Sequence, residues 1–328
     1  MGIAHDANIL YGNAPAGFYI HSIEKVKNLE TRKPGEADIV DSHIHILPPG
    51  RMRGLVRWVK KFLPQHATSE EITPDEILAQ DAAQGVGTFF NMVFPLWEKE
   101  TEELNLFSRD IAERYDNVVG FGSLHLETPG KDAVAERCVT EYGLAGIKLH
   151  PYAQRFEVFS PALDPLYRKL NELGRPFAVH TGFDAFYGQT QDLDRLRLIL
   201  ERYDRMPVVL VHSLFPRFEM AYKLMCEHQQ LYLDMTNVLS SIRWYREWPD
   251  NWLEQAEGTE IERNLDYFYE LFEKFSNRIM FGTDHPVGMG QPADIYADLD
   301  WFDFGDDVKA DLLGRTARSF LEEHCKPL

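Results

Sequence analysis

Cysteine is nearly missing from this chain: Cys138, Cys226 and Cys325 are the only three among 328 residues. Far apart and in no paired spacing, they exclude a disulfide framework and a cysteine-rich zinc knuckle, and they suit a reducing cytoplasm. Positive charge is also short, with 34 Lys and Arg against 52 Asp and Glu and a formal net charge of -18. Repulsion on that scale argues against nucleic acid or an anionic membrane as partner, and leaves small molecules. No apolar run approaches the ~20 residues of a membrane span. Met1 to Asp6 lacks the basic and apolar segments of a secretory signal. A soluble, cytoplasmic protein is the expectation.

What is present is an ordinary globular balance, 44% hydrophobic and 26% charged residues, which supports a substantial core. The length fits one large α/β barrel or two average domains. Residues 1–37 have no clear period apart from a short helical stretch, Ile23 to Leu29, and read as an N-terminal arm over the surface or toward a neighbouring subunit. Residues 38–328 read as one domain.

From Asp38 a short β-branched or aromatic run, a turn and an amphipathic helix recur to the end. The pattern predicts strands at Ile39 to Ile44, Val86 to Val93, Val118 to Leu124, Gly146 to Leu149, Pro176 to His180, Val208 to His212, Leu231 to Met235 and Arg278 to Gly282. Predicted helices are Pro74 to Gln84, Thr101 to Arg114, Asp132 to Tyr142, Asp164 to Leu173, Asp192 to Tyr203, Phe218 to Cys226, Ile261 to Phe275 and Val308 to Glu323. Thr73 suits a helix cap and Pro74 a first helical position. Eight such units are the arithmetic of a (β/α)8 TIM barrel. A doubly wound open sheet is the competing fold, but no Gly-rich turn follows the first strand. Long loops are expected after strand one, Leu47 to Thr73, and after strand seven, Thr236 to Glu257. The first carries Arg51, Arg53, Arg57 and Trp58, the second Arg243, Trp244 and Arg246, at the barrel end where ligands bind.

Chemistry concentrates at the strand ends. At a strand's period of two, Asp41, His43 and His45 share one face. Two imidazoles there repel when protonated and waste donors when neutral, and a metal ion cures both problems. Other apolar runs also stop at ligand-type side chains: strand four at Lys148 and His150, strand five at His180, strand six at His212, strand eight at Asp284 and His285. One such His is more often a hydrogen-bonded core residue. A recurrence on four strands beside the first-strand pair outweighs that reading.

The set Asp41-x-His43-x-His45, Gly146-Ile147-Lys148-Leu149-His150-Pro151, His180-Thr181-Gly182, His212-Ser213 and Gly282-Thr283-Asp284-His285-Pro286 resembles the amidohydrolase superfamily. More narrowly it resembles the amidohydrolase 2 branch, which holds aminocarboxymuconate semialdehyde decarboxylase, resorcylate decarboxylases and lactone or amide hydrolases. The resemblance implies a distorted barrel with one divalent metal ion, zinc or manganese, held by His43, His45, His180 and Asp284. His212 corresponds to a residue that ligates or acts as acid, base or electrophile. A carboxylated Lys148 bridging two metals is the less favoured alternative to an unmodified Lys148 beside one ion. Lys148, His150, Arg155 and Trp244 are expected near substrate, and a homodimer fits the habits of relatives. Arg315 departs from the Asn usual in the branch, at a position that reads as structural. The leading expectation is a hydrolase of an amide, lactone or ester bond that uses metal-activated water, with Asp284 moving the proton and His212 polarising the carbonyl. Non-oxidative decarboxylation of an unsaturated or aromatic acid is the competing chemistry, and a non-catalytic ligand-binding barrel the competing class.

Overall fold

Eight parallel strands form in a computed structural model that describes residues 39–249 and 255–326. The predicted arm, 1–37, with its helix at Ile23 to Leu29, lies outside the described residues. The strands are β1 Ile39–Ile44, β2 Val86–Asn91, β3 Val118–Gly120, β4 Ile147–Leu149, β5 Phe177–His180, β6 Val208–Val211, β7 Leu231–Asp234 and β8 Ile279–Met280. They pair as β1-β2-β3 and as β4-β5-β6-β7-β8. Single bridges, Gly122 with Ile147 and Ile44 with His285, join the two sheets at both seams. The result is a closed but distorted (β/α)8 barrel.

Strand alternation explains the layers. On β6, Val208 and Leu210 face outward into the helix-packed core, whereas Val209 and Val211 join Val40, Phe121, Ala178 and Met280 inside the barrel. Five of the eight strands, β2, β3, β6, β7 and β8, stop earlier than predicted, because the regular ladder ends before the apolar run does. Past β8 the bonding to β1 continues irregularly, Ser42 N to the Phe281 carbonyl at 3.1 Å and Asp284 N to the His43 carbonyl at 2.8 Å.

The longer helices are α1 Pro49–Phe62, α2 Pro74–Ala82, α3 Thr101–Arg114, α4 Lys131–Thr140, α5 Asp164–Leu173, α6 Asp194–Arg202, α7 Phe218–Glu227, α8 Val238–Glu247, α9 Gln255–Phe275, α10 Pro292–Trp301 and α11 Thr316–His324. At α2, Thr73 accepts from Glu76 N while the Glu76 side chain takes Thr73 N, a reciprocal cap with Pro74 at the first position. The long loop after β1 is mostly α1, whose Met52, Val56 and Val59 repeat on one buried face. The loop after β7 contains α8. The single helix predicted for Val308 to Glu323 is broken at Gly314, whose φ of 145° is not helical. That break frees α11 to place Ala317 and Phe320 against the inward-facing residues of the strands. Helix α10 was not anticipated; it buries Ile295 and Leu299 and seats Asp298 beside Arg243. Among the described residues no helix is long and apolar enough to cross a membrane.

Candidate metal centre

Three donor atoms meet at the carboxyl end of the barrel. His43 Nε2 and His45 Nε2 are 3.3 Å apart, and Asp284 Oδ1 stands 3.6 Å from the first and 2.9 Å from the second. One ligand atom from each lies within 4.8 Å of the other two.

The far side of each ring decides what these atoms carry. His45 Nδ1 lies 2.6 Å from the Met92 carbonyl and His212 Nδ1 lies 2.8 Å from the Thr236 carbonyl. A carbonyl only accepts, so both rings hold a proton on Nδ1. His43 Nδ1 donates in the same way to Asp234 Oδ2 at 3.0 Å. His212 Nε2, left bare, accepts from His180 Nδ1 at 3.1 Å, which strips His180 Nε2 of its proton. That atom is buried without a hydrogen-bond partner among the described residues, and Asp284 Oδ1 faces His45 Nε2 at 2.9 Å. Lone pairs therefore face one another around one spot, and between His45 and Asp284 either a proton or a cation must intervene. The donor set, imidazole nitrogens and one carboxylate oxygen, fits zinc or manganese. His180 stands beside this three-atom group rather than in it.

Electrostatics keep the donors in ligating form. Burial holds His43, His150 and His180 well below the usual histidine range, and brings His212 down to about 4. Burial pushes the Asp284 carboxyl up, but its pairing with His45 and the electrostatic influence of the neighbouring His43 and His212 rings outweigh it and hold it well below its usual range. Lys148 is fully buried, its Nζ without a hydrogen bond and 5.2 Å from the Phe94 ring centre. Burial lowers it to about 8, against the pull of Asp284 and Asp234.

Aromatic rings roof the centre. His150 stacks on His180 at 3.9 Å between ring centres and meets Phe94 at 4.8 Å and Tyr187 at 5.5 Å. Trp58 on α1 stacks with Tyr187 at 6.3 Å and touches Phe186, so the loops after β1 and β5 close against each other. Of the other residues expected near substrate, Arg155 is exposed and lines an outer cavity of about 340 Å³ with Phe156, Glu157, Gln189, Thr190 and Gln191. Trp244 is half-buried on α8, which packs against α10. The loop arginines are largely committed: Arg51 to Glu100, Arg53 to Glu71, Arg57 to Glu70 and Arg243 to Asp298.

Two residues escaped sequence reasoning. Asp234 orients His43, and Asn237 Nδ2 donates to Asp284 Oδ2 at 2.7 Å. Asp234 ends an apolar run, Leu231-Tyr232-Leu233, so the signal that marked the other strand ends was there. Asp41 lies on the first-strand face but not on an imidazole. Its carboxylate accepts from His43 N, Thr283 N and Thr283 Oγ1, which ties β1 to the chain after β8. Burial raises it to about 7. His212 is an acceptor as it stands, because polarising a carbonyl needs a proton on Nε2.

A family model described as amidohydrolase matches residues 40–322. No curated protein matches the sequence significantly. Among solved structures, an uncharacterised TIM-barrel protein from Bordetella bronchiseptica is 17% identical with a TM-score of 0.64, over 88% of this chain and 99% of that one. A 5-carboxyvanillate decarboxylase from Novosphingobium aromaticivorans, complexed with manganese and a nitrobenzoic acid, is 15% identical with a TM-score of 0.61, over 88% and 97%. A probable 2-pyrone-4,6-dicarboxylic acid hydrolase from Acinetobacter baumannii, with citric acid bound, is 14% identical with a TM-score of 0.59, over 87% and 99%. At such identities the likeness establishes the shared barrel fold.

Proposed function

The chain belongs to the amidohydrolase family, and from that premise we propose that it is a metal-dependent hydrolase of a C-N or C-O bond in a small molecule. One observation carries the reading: bare donor atoms of His43, His45 and Asp284 face one another at the barrel mouth. With His180 they would hold one divalent ion. When bound, such an ion supplies Lewis acidity and the means to ionise water near neutral pH.

The chain's own groups do the rest. Asp284, kept ionised, accepts the proton of the attacking water and hands it to the leaving group. His212 Nε2 accepts from His180 Nδ1 and so leaves His180 Nε2 free to donate its lone pair. Buried Lys148 offers a positive charge to an anionic substrate or developing oxyanion. A barrel that only bound ligands would tolerate gaps in this set, whereas in the sequence each expected donor position holds a ligand-type residue.

Decarboxylation of an unsaturated or aromatic acid is a second reading, favoured by the roof of Phe94, His150, Tyr187 and Trp58 around a buried lysine. There Lys148 would face the carboxylate. The test is turnover of lactones, amides, esters and aromatic acids in ¹⁸O-labelled water. Label in the product supports hydrolysis; CO2 release without label overturns it in favour of decarboxylation.

A further inference from the structure

Strand β7 contributes nothing to the three-atom group, yet its last residue and the turn after it touch three side chains around it. Asp234 Oδ2 holds His43 Nδ1 at 3.0 Å, the Thr236 carbonyl holds His212 Nδ1 at 2.8 Å, and Asn237 Nδ2 holds Asp284 Oδ2 at 2.7 Å. The turn is itself rigid. Asp234 Oδ1 accepts from Thr236 N at 2.9 Å and from the Thr236 hydroxyl, Ser213 Oγ donates to the Asp234 carbonyl at 2.8 Å, and Asn237 Oδ1 accepts from Met289 N at 3.2 Å.

Each contact selects one atom of its target. An imidazole has two nitrogens, and an acceptor on Nδ1 pins the proton there and leaves Nε2 to donate its lone pair. A carboxylate has two oxygens, and an amide donor on Oδ2 leaves Oδ1 as the atom turned to the imidazoles. Asn237 sits at φ 63°, a left-handed backbone that asparagine and glycine accept most readily. Glycine would serve the backbone equally well; what the amide adds is its bond to Asp284 Oδ2, with its oxygen held by Met289 N.

We propose that Asp234 and Asn237 are positioning residues: Asp234 selects Nε2 of His43 as the ligating nitrogen, and Asn237 makes Asp284 a ligand through one oxygen. This rests on the metal-centre reading above.

The experiment is Co²⁺ titration of metal-stripped wild type, Asn237→Gly, Asp234→Asn and Asp234→Ala, reading affinity, visible absorption and the thermal midpoint without metal. Asn237→Gly keeps the backbone unstrained. Its affinity should fall about 10- to 100-fold, and its absorption should weaken as the second carboxylate oxygen joins and coordination number rises. Asp234→Asn keeps an acceptor oxygen and should lose less affinity than Asp234→Ala. Unchanged affinity and spectrum in Asn237→Gly, or equal losses in the two Asp234 variants, would overturn the positioning roles. A change in thermal midpoint without any change in Co²⁺ binding would likewise reduce the turn to a structural one. Wild type that takes up no Co²⁺ would overturn the metal-centre reading itself.

Discussion

Gly282 backs directly onto His43: a β-carbon placed at Gly282 would stand 2.7 Å from both the backbone N and the Cβ of His43, and 2.6 Å from Thr236 Oγ1. Backbone on one side and the β7 turn on the other leave no flexible neighbour to give way. Gly282→Ala is therefore expected to destabilise the fold by about 1 to 3 kcal/mol and to displace the first-strand imidazoles. Chemical denaturation checks the first effect and metal stoichiometry the second.

Removing a donor should empty the centre. His43→Ala and Asp284→Asn are expected to purify without stoichiometric transition metal, as read by elemental analysis. Wild type at a hundredfold excess of ion over Kd should gain about 2.7 kcal/mol of stability. Because the gap between His45 and Asp284 holds either a proton or a cation, loading should also release a proton. Calorimetry in buffers of different ionisation enthalpy measures it.

His212→Ala tests the nitrogen beside His180. Turnover at saturating metal is expected to fall on the order of 10²-fold or more. Metal retention should weaken as well, since His180 Nδ1 loses the acceptor that aims its other nitrogen. Steady-state kinetics with metal analysis on the same preparation separates the two losses.

Lys148 carries a cost of burial that depends on pH. Its pKa falls from 10.5 in the open chain to about 8 in the fold, so the unfolded chain binds the extra proton between these values. Stability should therefore rise as pH climbs from about 8 through 10.5, with the full penalty present below 8. In metal-free protein at pH 7, Lys148→Met should raise stability by about 3 kcal/mol, a gain that fades by pH 10 to 11, while abolishing activity. Thermal melts across that range provide the check.

Why some of this was readable in the sequence and some was not has a physical basis. His43, His45, His180, His212 and Asp284 announce themselves because an apolar run that stops at a polar side chain marks where a strand reaches the mouth. Asp234 obeys the same rule, but the run reads on through Met235 as one strand, so the residue counts as interior. Asn237 gives no such mark: its role depends on a left-handed turn that only the folded chain displays. Helix α10 is masked by its acidic residues, of which Asp298 is buried only because Arg243 on α8 neutralises it. For Arg155 and Trp244 residue type alone suggests ligand contact; the fold puts the first at the exposed end of the turn after β4 and the second half-buried on α8, positions that no periodicity encodes.

The plug formed by Ala317 and Phe320 has a further consequence for traffic. With Ala317 and Phe320 packed against the inward-facing strand residues, the mouth is the way by which a small molecule would reach and leave the proposed metal centre among the described residues. Trp58, Phe186 and Tyr187 stand across that mouth. For the proposed reaction, any parting of these rings would be a step separate from the chemistry beneath them.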